Sequence, residues 1–226
     1  MNRSILEVCA YNIKSCIIAE KAGAGRIELC ASPAEGGVTP SYGMIEYAVK
    51  NLSIPVYVMI RPRGGNFVYT PEELEIMRKD IAVCKELGAA GIAIGILTAN
   101  NLIDTAAMKQ MVALAYPMGV TCHKAFDRTP DAMRSLEEVI TAGCERVLTS
   151  GLQPTAVAGT DMLKGLVESA AGRIIIMPGG GVRSANIKDL AAATGATELH
   201  SSALLSGNVD YVADGGEVAM LVNNLT

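Results

Sequence analysis

Eight short runs rich in β-branched and aliphatic residues punctuate this chain, and their spacing constrains its fold more than any other feature. The runs are Ile5–Val8, Arg26–Leu29, Val56–Ile60, Ile92–Ile96, Val120–His123, Arg146–Thr149, Ile174–Met177 and Thr197–His200. Their first residues stand 21 to 36 positions apart. That interval holds one strand, one helix and their loops, and the stretches between the runs carry helical patterning. Eight such units predict an α/β fold, a (β/α)₈ TIM barrel, as a single domain over residues 1–226. No linker or low-complexity tract divides the chain. In such a barrel the chemistry sits at the carboxyl ends of the strands.

The helix signals agree with this phase. Asp104 is placed to cap the fourth helix, and Thr129-Pro130-Asp131 opens the fifth, which ends at Gly143. Thr70-Pro71-Glu72-Glu73 is an N-cap followed by proline and two acids, ahead of a helix ending at Leu87-Gly88. Gly172 is the expected C-cap of the sixth helix, Ser184 the N-cap of the seventh, and the last helix is expected near Glu217–Asn224.

Composition narrows the function classes. Half of the residues are hydrophobic, but there is no Trp and only two Phe, so aliphatic side chains and Met must fill the core. A net charge of −4 argues against a nucleic-acid surface. There is no Lys/Arg run, no apolar run of ~18 residues and no secretory pattern at the N-terminus, so a cytoplasmic protein without a membrane partner is expected. Six cysteines occur without a CxxC pair, which in a reducing compartment reads as free thiols.

Alternate residues of a strand share a face. With Ile27 and Leu29 facing the helices, Arg26, Glu28 and Cys30 point into the barrel. The same phase turns Glu7, Cys9, Tyr57, Met59, Arg61, Arg63, Thr121, His123, Glu198 and His200 inward. Barrel interiors are usually filled with branched aliphatics. Charges and both histidines at these positions point to a ligand site, because buried charges need partners.

Four constellations carry that expectation. Leu6-Glu7-Val8-Cys9 and Ile27-Glu28-Leu29-Cys30 end the first two strands alike, so two thiols can share one spot and favour Cu(I) or Zn(II); two small packed core residues are the alternative. Arg61-Pro62-Arg63-Gly64-Gly65 ends the third strand; the arginines either converge on an anion or pair with Glu7 or Glu28. His123 and Asp127 after the fifth strand can supply acid–base chemistry or metal ligation. Gly179, Gly180 and Gly181 after the seventh strand, with Ser201 after the eighth, stand where this fold often binds phosphate.

In their order, LEVC, AGRIELCASPAEGGVTPSYG, VMIRPRGGNFVY, HKAFD running into DRTPDA, ERVLTSG, MPGGGV and ATELHSSA resemble the CutC copper homeostasis family over nearly the whole chain. The resemblance implies a (β/α)₈ barrel, a cytoplasmic role in copper tolerance or trafficking, and Cu(I) binding at Cys9 and Cys30. Lys124 stands where the family usually has Arg, Asn66 where Asp is common, and the segment after HSSA is shorter than in many members. The partner so implied is a copper ion, and a homo-oligomer stays open. A second reading stands beside it. In that reading Arg61, Arg63 and Gly179–Gly181 hold a small phosphorylated or carboxylated metabolite, and Glu28, His123, Asp127 and His200 are catalytic candidates.

Overall fold

Eight parallel strands alternate with eight helices in the computed structural model, which describes residues 4–205 and 207–225. The strands are β1 (Ile5–Ala10), β2 (Arg26–Leu29), β3 (Val56–Met59), β4 (Gly91–Ile94), β5 (Gly119–Cys122), β6 (Arg146–Thr149), β7 (Ile175–Pro178) and β8 (Glu198–Ser201). The helices are α1 (Ile13–Lys21), α2 (Tyr42–Asn51), α3 (Pro71–Leu87), α4 (Thr105–Ala115), α5 (Ala132–Ala142), α6 (Thr160–Ala170), α7 (Ile187–Thr194) and α8 (Gly215–Leu225). Strands β1 to β7 pair in sequence order, and β1 also pairs with β8. A parallel bridge from Gly179 to His200 joins β7 to β8 and closes the (β/α)₈ barrel.

Local sequence explains most helix ends. Thr70 and Glu73 form a reciprocal capping box at the start of α3, and Gly88 ends it in the left-handed conformation. Asp104 accepts from the Ala107 N–H, and Asp131 from the Met133 and Arg134 N–H groups. Two expectations shift. Ala171, not Gly172, is the C-cap of α6, although both residues have positive φ. Ser184 does not cap α7: its N–H and Oγ–H both donate to the Glu217 carboxylate, and helix α7 begins after Asn186. Glu217 is buried and lies in the first turn of α8, so a carboxylate there draws Ser184 away from the expected role.

The core has two parts. Val8, Ile27, Leu29, Val58, Ile92, Ile94, Val120, Val147 and Leu199 face outward and pack with the helices in one annular layer. Inside the barrel, Cys9, Cys30, Met59 and Ala93 form a small cluster of their own. Below it lies an ion network: Arg26 bonds to Glu7 and Glu198, and Arg146 bonds to Glu198, Glu145 and the Thr121 hydroxyl. Both guanidinium groups stack on the Tyr57 ring. Gly91 and Gly119 make room for that ring, since a Cβ at either would lie within 2.3 Å of it or its hydroxyl.

Candidate functional site

The cluster at the mouth follows from strand register. Cys9 of β1 is opposite Glu28 of β2, and Cys30 follows one pleat further on. The two sulfurs lie 3.9 Å apart, and Cys30 Sγ lies 3.6 Å from Glu28 Oε2. One ligand atom from each of Cys9, Glu28 and Cys30 fits within a 4.8 Å triangle, and all three residues are buried. Two metal–sulfur bonds of about 2.3 Å each, the length seen with zinc, span such a pair of sulfurs.

His200 of β8 completes the electrostatics. Its Nδ1 is 2.8 Å from Glu7 Oε1 and its Nε2 is 3.8 Å from Glu28 Oε2. Burial alone would lower the His200 pKa, but its hydrogen bond to Cys9 and the Glu28 and Glu7 carboxylates carry it well above the usual imidazole value. The hydrogen bond with Cys30 pulls the Cys9 thiol well below its usual range, and His200 adds to this against the opposing cost of burial. The same contact with Cys9, together with burial, raises the Cys30 thiol. Burial, then the neighbouring Cys9, raises Glu28. Glu7 is held down at about 2: His200 and Arg26 outweigh its burial.

A cavity of about 100 Å³ opens against this cluster. Its walls include Cys9, Glu28 and His200 on one side and Arg61, Phe67 and His123 on the other. A second cavity of about 140 Å³ shares Cys9, Tyr11, Lys124 and His200 with it and continues along Gly180, Gly181, Arg183 and Ser201. Arg61 is fixed by backbone: its guanidinium donates to the Glu35, Gly37 and Gly65 carbonyls and lies over the Phe67 ring. His123 Nδ1 accepts from the Ala125 N–H, and Gly95 leaves space for the ring, because a Cβ there would fall 2.5 Å from it. Burial and the Arg61 charge push the His123 pKa down to about 3, so the imidazole is neutral.

Not every predicted site residue meets there. Arg63 leaves the mouth, pairing with Glu73 and donating to the Gly64, Asn66 and Val68 carbonyls. The strand ends at Met59, so alternation no longer governs residues beyond Pro62, and the α3 capping glutamate captures the guanidinium. The two arginines therefore do not converge, and neither pairs with Glu7 or Glu28; Glu7 takes Arg26 and His200 instead. Asp127 sits in a single turn past β5 and accepts from Thr149, Ser150 and Leu152, clamping the loop after β6. Ser201 Oγ donates to the Val182 carbonyl, and Gly179 forms the seam bridge. Tyr11, Phe67 and Arg183 line the cavities without having been singled out in the sequence. Tyr11 was within reach of the alternation rule, two residues after Cys9; the loop residues Phe67 and Arg183 carried no periodic signal.

Comparison with known proteins bears on this arrangement. The model of the CutC family matches residues 4–205. A mouse protein named copper homeostasis protein cutC homolog is 44% identical over 219 residues, covering 97% of this chain and 80% of its own. A CutC family protein of Parabacteroides distasonis is 50% identical over 202 residues, covering 89% of this chain and 83% of its own. A crystal structure of CutC from Streptococcus agalactiae is 39% identical and superposes with a TM-score of 0.84, covering 88% of this chain and 98% of that one.

Proposed function

Because the chain belongs to the CutC family, we propose that it serves copper homeostasis by holding Cu(I) between Cys9 and Cys30, with Glu28 as a third donor. The observation that carries this reading is the buried Cys9–Glu28–Cys30 triangle at the barrel mouth. Soft thiolates select Cu(I) over the harder divalent ions. His200 beside Cys9 favours the thiolate, which is the ligating form. Burial pushes the Cys16, Cys84 and Cys144 thiols up to about 12 and raises Cys122 as well, which disfavours the thiolate at each. All six cysteines are free, which suits a reducing cytoplasm. Among the described residues no helix is long and apolar enough to cross a membrane.

Anaerobic Cu(I) titration tests the assignment. Wild type and Cys84→Ser should take up the metal alike, whereas Cys9→Ser combined with Cys30→Ser should abolish uptake. Equal uptake by the double variant would place copper elsewhere.

A further inference from the structure

Five buried side-chain polar atoms lack a hydrogen-bond partner among the described residues, and three of them belong to walls of one cavity: His123 Nε2, Arg61 Nε and Glu28 Oε1. Their residues are 3%, 5% and 3% exposed. Buried polar groups are normally paired, so such a concentration calls for a ligand. A metal held by the thiol pair could engage Glu28, but it does nothing for the other two atoms. Arginine carries no lone pair to give a cation. His123 Nδ1 already accepts from Ala125, so the neutral ring bears its proton at Nε2. Both are therefore N–H donors waiting for an acceptor.

The charge balance gives that acceptor its sign. The Arg61 guanidinium donates to three backbone carbonyls and lies beside the neutral Tyr69 side chain, none of which neutralises it. Lys124 adds a second cation on the same wall. The volume, about 100 Å³, admits a molecule of only a few carbons. Met59, Phe67 and Leu148 offer its body apolar contacts.

We propose that this cavity binds a small carboxylate, its oxygens accepting from Arg61 Nε and His123 Nε2 and its short carbon body packed on Met59, Phe67 and Leu148. The site lies beside the thiol pair and does not depend on the copper reading. A carboxylate fits better than a phosphate, because two single donors match its two oxygens and the chamber is small. The glycine loop and Arg183, where a phosphate would be held, line the adjoining cavity.

Isothermal titration calorimetry of the metal-free protein with sodium acetate, sodium pyruvate and inorganic phosphate tests this. Acetate or pyruvate should bind, and phosphate should bind at least about tenfold more weakly. Arg61→Lys and His123→Asn should each weaken the carboxylate by roughly tenfold or more, a difference read directly from Kd. Asn at 123 can still accept from the Ala125 N–H, so this variant carries the test if Arg61→Lys fails to fold by circular dichroism. Failure of both carboxylates to bind at millimolar concentrations would overturn the proposal, and so would binding that neither variant alters. Phosphate binding as tight as that of the carboxylates, surviving Arg61→Lys but lost in Arg183→Gln, would also overturn it, moving the anion to the glycine loop. Cu(I) titration of the same preparation reads the copper site separately, so either assignment can fail while the other stands.

Discussion

His123 shows how one side chain records its surroundings. Its pKa of about 3 lies below the ordinary value near 6.5, because burial and Arg61 both oppose its positive form. As pH falls through 6.5 the unfolded chain takes up a proton at this ring, while the folded chain does not until about 3. The unfolded state then binds more protons, so stability falls with pH across that window. His123→Asn lacks this linkage. Relative to wild type, the variant should gain roughly 3 kcal/mol between neutral pH and about pH 4. Urea midpoints of both proteins at the two pH values measure the change; a gap that does not vary with pH would mean that the ring titrates normally. Glu7 acts with the same sign at lower pH: its carboxylate, held at about 2, contributes stability that is lost as pH falls below the ordinary carboxyl range.

At the scale of the element, β4 matters through what it lacks. Gly95 follows the strand directly, and a Cβ there would meet the His123 ring and the Ala125 Cβ at 2.5–2.6 Å. Gly95→Ala should cost about 1–3 kcal/mol through overpacking and displace the imidazole, so thermal stability and carboxylate binding should fall together. Stability intact with binding intact would mean that the ring has other room. No pattern in the sequence marks Gly95, because close approach is a tertiary fact. Regular strands are different. Alternation was enough to bring Glu7, Cys9, Glu28 and His200 to one interior, since β1, β2 and β8 keep their pleat to the mouth. It could not follow Arg63 past Pro62, nor foresee that Glu73 serves both the α3 cap and that guanidinium. Asp127 misleads for the same reason: past the end of β5, a turn and not the pleat decides where it points.

The whole barrel depends on its weakest seam. The β7–β8 edge is joined by the Gly179–His200 bridge, whereas β1 pairs with β8 through four residues. Side chains reinforce this edge from inside. Glu198 of β8 accepts from Arg146 of β6, so the bond reaches over β7. It also accepts from Arg26 of β2, and Arg26 returns to Glu7 of β1. Four strands on both sides of the seam are thus tied by one buried network. Removing Glu198 strips both buried arginines of their shared partner, leaving Arg26 only Glu7 and Arg146 only the half-exposed Glu145, a loss that in buried networks costs up to about 3–5 kcal/mol. Glu198→Ala should show that loss in denaturant midpoints, with hydrogen exchange rising first at the amides of β7 and β8. Glu137→Ala is the control: its bidentate pair with Arg173 lies 44–56% exposed, where solvent screening leaves an ion pair little effect on stability. Similar losses from the two substitutions, or exchange spread evenly over all eight strands, would mean that Glu198 is one more packed residue. A large loss confined to Glu198, opening at the seam, would identify the network as the closure of the barrel that carries the thiol pair.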